Sequence, residues 1–147
     1  MADSKLSSLT AATSAGGSDL LYLVQGTDSK KITVANFLNG LGNVAFVGNV
    51  VYGGTAQSLT TPGSINTLTP ITHLTADATG GGLTINRGTA GQVKFVTLVS
   101  TTGGAYALSG NIAGGATVTF DRVGDTAQLM YTSSNWYVVG GTANVTY

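Results

Sequence analysis

Few residues in the chain can carry acid–base, metal or nucleophilic chemistry, and their spacing does not suit it. His73 is the only histidine, the chain has neither cysteine nor glutamate, and the nearest partner for His73 is Asp77, beyond the end of its strand. A triad base or zinc ligand needs partners converging from several elements. An edge or part-buried histidine is therefore expected. Asp121 and Asp125, with Arg122 between them in FDRVGD, have a spacing that a pair of glycosidase acids could use. They flank a turn, however, where aspartate is favoured because its carboxylate accepts local backbone amides. Asp77 near the Gly80–Gly82 run lacks the spacing of an EF-hand calcium loop. The glycine runs at 80–82, 103–104 and 114–115 read as turns, because none ends in Lys-Ser/Thr or opens a long helix as a phosphate loop does. Asn144-Val145-Thr146 matches a glycosylation sequon, a pattern frequent by chance. Tyr131 and Tyr137 are expected to pack across a hairpin rather than stack on sugars. No catalytic residue, metal ligand or cofactor is expected, and the chain reads as non-enzymatic.

The elements around these residues are strands. Ala127, Leu129 and Tyr131 alternate with Thr126, Gln128, Met130 and Thr132, the period-2 pattern of a strand with one face on a core. Ser133-Ser134-Asn135 supplies turn chemistry, and Trp136-Tyr137-Val138-Val139 returns as a β-branched and aromatic strand carrying the only tryptophan. Residues 92–100 form the longest apolar run, expected to be covered on both faces. Strands are also predicted over 45–51, over 83–85, within ATVTF, and over 68–75, where Pro70 demands a strand start or an edge. Residues 57–64 read as a loop with a Pro-Gly turn. Such spacing implies an all-β fold, an antiparallel β-sandwich or barrel. No equal-length repeat is present, so a solenoid is not expected.

Composition narrows the function classes. Charged residues are 8% of the 147-residue chain, against about 25% in ordinary soluble proteins. Net charge is zero, which offers no basic face to nucleic acid or anionic lipid. Hydrophobic residues at 42% argue against disorder. A neutral, hydroxyl-rich surface suits a subunit held in an assembly better than a free monomer. No apolar run approaches the length of a membrane span, and the first residues lack the apolar core of a secretory signal, so a cytoplasmic site of synthesis is expected.

Residues 1–42 differ in character from 43–147 and are assigned to an arm preceding the β-domain. Leu20–Val24 is a compact apolar strand, Lys30–Val34 a second, and Thr33 is placed to N-cap a short helix over 35–41 that ends at Gly42. Such a unit is too small to be stable alone and needs a surface to lie on.

The order of pieces here, namely Lys5-Leu6-Ser7 with Leu9, a small-residue linker, Asp19 before Leu20–Val24, Gln25-Gly26 and Lys30–Thr33, resembles the N-terminal segment shared by many tailed-phage virion proteins. In that family the segment anchors fibres, spikes and head-decorating proteins to the particle. The stretch from ITHLTADATGGG to the closing GDTAQLMYTSSNWYVVGG is similar to compact β-domains of phage particle proteins, which commonly trimerise. The resemblance implies a virion structural protein, made in a bacterial host cytoplasm. The shortness of the chain points to head decoration: a homotrimeric cement protein on the major capsid protein. The alternative is a short tail fibre or fibre-anchoring subunit on a tail protein. On either reading Leu6, Leu9, Leu20, Leu21, Tyr22, Leu23, Val24 and Ile32 are expected to be apolar anchors, with Lys30 and Lys31 at the rim.

Overall fold

The computed structural model describes residues 16–25, 28–41 and 50–147, with the side chains of 22–29 excepted. The chain divides into two compact units, Met1–Val50 and Val51–Tyr147. The boundary expected after residue 42 falls just ahead of this division. Most of the strand predicted over 45–51 lies outside the described residues, and Val50 and Val51 belong to no strand.

The first unit is a hairpin followed by a helix. β1 (Leu20–Gln25) and β2 (Asp28–Thr33) pair antiparallel from Leu20↔Thr33 to Gln25↔Asp28. Thr33 then caps α1 (Val34–Gly40), its Oγ1 accepting from Asn36 N at 3.1 Å. This satisfies one of the amides that a helix start leaves without an internal partner. Val34 N and Ala35 N donate to Asp19 O and Gly17 O, which ties the helix back to the turn ahead of β1. The predicted strands, cap and helix are all present. The glycine expected to stop the helix, Gly42, lies outside the described residues.

The second unit is a sandwich of two five-stranded sheets, in the orders β11-β10-β7-β5-β3 and β12-β9-β8-β6-β4. The strands are β3 (Gln57–Leu59), β4 (Gly63–Ile65), β5 (Ile71–Ala76), β6 (Gly81–Ile85), β7 (Val93–Thr101), β8 (Tyr106–Ser109), β9 (Thr117–Phe120), β10 (Thr126–Tyr131), β11 (Trp136–Gly141) and β12 (Asn144–Thr146). The all-β sandwich and its hairpin are as expected from the sequence, but the pairing is mixed, not antiparallel throughout. β3, β5 and β7 run parallel in one sheet and β4, β6 and β8 run parallel in the other. The chain thus crosses between sheets at every step, winding three short coils before β9–β12 close both sheets with antiparallel pairs. This is a brief solenoid, and its coils begin at the unequally spaced Gln57, Ile71 and Val93. Unequal coils leave no repeat in the sequence. The stretch read as a loop over 57–64 contains two of these coil strands, each of three residues, on either side of the Pro62 corner.

Burial alternates as the pleat requires. In β7, Lys94, Val96 and Leu98 are buried while Val93, Phe95 and Thr97 are half-buried, so the longest apolar run is not covered on both faces. The inward residues of both sheets, among them Leu74, Leu83, Val96, Leu98, Leu108, Val118, Phe120 and Leu129, form one core. Burying each such side chain contributes about 1.5–3 kcal/mol. Trp136 sits in this core against Tyr131, with ring centroids 5.2 Å apart, and its Nε1 donates to Asn86 O at 2.8 Å.

The glycine runs at 80–82 and 103–104 are where two coil corners stack. Gly104 N donates to Asp77 O and Gly81 N to Ala105 O, both at 2.9 Å. A Cβ on Gly104 would stand 2.1 Å from Asp77 O, and one on Gly80 would stand 2.1 Å from Ala105 O. Only glycine permits this approach of backbone to backbone.

Candidate interaction surfaces

The chemistry-bearing residues turn out to serve the backbone. Asp77 Oδ1 accepts from Thr79 N and Gly80 N, each at 2.9 Å, closing the β5–β6 corner. Asp125 Oδ2 accepts from Asp121 N and Arg122 N, each at 2.9 Å, closing the β9–β10 turn. Burial pushes the Asp125 carboxyl up, but the Arg122 and Asp121 amides and the Arg122 charge outweigh it and hold the group below the usual aspartate value. Arg122 meets Asp121 only at 3.8 Å on the exposed surface, a pair worth little. His73 is exposed on the outer face of β5, not at an edge or part-buried as expected. Among the described residues no group of three metal-ligating side chains occurs, and no helix is long and apolar enough to cross a membrane.

One buried ionisable residue escaped the sequence reading. Lys94 has 0% exposure, and its Nζ donates to Thr69 O at 2.5 Å and lies 3.4 Å from Thr69 Oγ1. Gln92 Nε2 donates to Thr67 O nearby, and Asn66 Oδ1 accepts from Leu68 N and Thr69 N. Together these side chains hold the 66–69 loop against the end of the sandwich. Burial lowers the lysine from 10.5 to about 8. Its signal was strand parity: Lys94 shares the inward parity of Val96 and Leu98.

The arm carries the first exposed apolar surface. Among its described side chains none is buried, those of α1 included. Leu20 is 45% exposed, and Phe37, Leu38 and Leu41 are exposed as well. Spacings of three and four place Leu41 beside Leu38 and Phe37 along one side of the helix end. In the sequence these three read as ordinary apolar residues of a short helix. The hairpin register divides the expected anchors between two faces. Leu21 and Ile32 share one face with Lys30, while Leu20 shares the other with Lys31. Leu6 and Leu9 lie outside the described residues, as do the side chains of Tyr22, Leu23 and Val24.

The sandwich carries the second. On the outer face of the first sheet, Val93 pairs with Met130 and Met130 with Tyr137, an apolar row ending at β11. Beside it Ile71 pairs with Phe95, on which Tyr52 packs with centroids 5.3 Å apart. A groove of about 230 Å³ lies along β11, lined by Ile112, Ala113, Gly114, Ala116, Tyr137, Val138 and Tyr147.

Comparison of the chain with protein-family models, curated proteins and solved structures returned no match.

Proposed function

We propose that the chain is a non-enzymatic structural protein of a tailed-phage particle, a head-decorating protein that grips the coat lattice through its first unit. The observation that carries this reading is the character of that unit. It is a hydrogen-bonded hairpin and capped helix with no buried side chain among its described residues, exposing Leu20, Phe37, Leu38 and Leu41. A two-stranded sheet and a two-turn helix do not stabilise themselves, so the energy that orders them comes from what they lie on. The succession of N-terminal sequence pieces that resembles virion anchoring segments supports a particle surface as what the hairpin and helix lie on. A hairpin edge offers backbone hydrogen bonds to a strand of the coat protein, and the apolar side chains offer buried area, the combination used in strand addition.

The test is co-sedimentation with particles stripped of this protein. The full chain is expected to bind, and a chain lacking residues 1–50 is expected to stay folded and remain in the supernatant. Because the arm's three lysines are balanced by three aspartates and its proposed anchors are apolar, binding should change little between low and moderate salt. Release by moderate salt, or retention of binding by the truncated chain, contradicts the mechanism.

A further inference from the structure

Among the described residues the end strand β11 is open along most of its outer edge. It is last in its sheet, and of its far side only Trp136 is met by them: its N–H donates to Asn111 O at 2.7 Å, and Ile112 bridges it in parallel. Gly114 and Gly115, at φ 72° and 70°, then turn the chain away through the 3-10 turn Ala113–Gly115. What remains beside Tyr137 and Val138 is the apolar groove of about 230 Å³. Strand alternation, which directs the Trp136 amide to Asn111, directs the Val138 amide the same way, into the groove.

Exposed edges invite further strands, and proteins blunt them with short strands, charges or proline. The other end strands of the sandwich, β3, β4 and β12, have three residues each. β11 has six, WYVVGG, with no charge and no proline. Its one irregularity is a bulge opposite Gln128 and Leu129, at Val139, which is 49% exposed.

We infer that β11 is a self-association edge, occupied by β11 of a second copy running antiparallel about a two-fold axis. Two observations select a second copy. The edge has no charge to oppose its own image, so it is self-complementary in the way a two-fold contact requires. The apolar row Val93–Met130–Tyr137 also stops abruptly at this edge with Met130 and Tyr137 exposed. A two-fold centred at Val139 lays the second copy's own Tyr137–Met130–Val93 row alongside this edge and joins the two five-stranded sheets into one. This contact does not depend on attachment to a particle. It also differs from the three-fold ring expected from the resemblance, in which β11 would face a different surface of its neighbour.

The absence of native cysteine allows a direct test. Val139→Cys should give covalent dimers on oxidation or with a short bis-maleimide, whereas Ser58→Cys, on the opposite end strand, should not. Val139→Lys, which sets like charges face to face, should weaken dimerisation roughly tenfold or more while leaving the melting followed by Trp136 fluorescence unchanged at dilutions where both chains are monomeric. A wild-type chain that is monomeric at high concentration overturns the inference. So does a trimer, or any oligomer, in which Val139→Cys fails to cross-link. If Val139→Lys does not fold, the cysteine pair decides alone.

Discussion

The two units solve the same problem in opposite ways. In the sandwich, strand after strand sends alternate side chains into a shared core, and Leu74, Leu83, Val96, Leu98 and Leu129 have no exposure at all. In the arm, backbone hydrogen bonding is just as regular and the helix is properly capped, yet no described side chain is buried. Good local geometry without burial does not offset the conformational entropy of ordering. The sandwich therefore has the means to fold by itself, and the arm has the means to be ordered by something else.

The largest effect that would break this contrast is at the stacked corners of the sandwich. Gly104→Ala places a Cβ 2.1 Å from Asp77 O, and is expected to cost about 3 kcal/mol or more. Urea unfolding followed by Trp136 fluorescence measures it, and a loss well under 1 kcal/mol would mean that the corner packing described here is wrong.

Next comes Lys94. Its folded value of about 8 lies below the ordinary 10.5, so the folded state binds its proton less tightly than the unfolded chain. Stability is therefore penalised below pH 8 and recovers as pH rises from about 8 towards 10.5, by on the order of 3 kcal/mol. Lys94→Met should remove that recovery and, after losing the bond to Thr69 O, gain about 1–2 kcal/mol near neutral pH. Denaturation curves at several pH values check both, and a flat wild-type profile above pH 8 contradicts the assignment.

Asp125→Ala removes the acceptor for two turn amides and should cost about 1–3 kcal/mol. Because the carboxyl is held below its usual value, its contribution is present above the ordinary aspartate range and is lost as pH falls through the lowered value. An acid titration in which the alanine variant and wild type lose stability in parallel would refute this.

The smallest effect on folding belongs to the arm. Leu38→Ser with Leu41→Ser should shift sandwich stability by less than about 0.5 kcal/mol, as surface changes do, while weakening attachment to particles. Loss of cooperative unfolding in this pair would erase the contrast between the units.

Much of this was legible in the sequence because it is local. The alternation of Ala127, Leu129 and Tyr131, the turn at Ser133–Asn135 and the Thr33 cap each act over a few residues. Pairing direction was not legible. Strands of three residues such as Gln57–Leu59 carry too little pattern to announce themselves, and unequal coils hide the parallel winding. The outer face of Val93–Thr101 misled because an apolar run reads the same whether one face or both are covered. The arm's strands were legible, but the apolar helix side at Phe37, Leu38 and Leu41 was overlooked. Its residues look like core in the sequence, and the structure shows them exposed.

The central claim is tested most directly by counting. Quantitative mass spectrometry of purified virions should find this chain at a copy number approaching that of the major coat protein. A few copies per particle would move the same arm to the tail, and absence from virions would contradict the account.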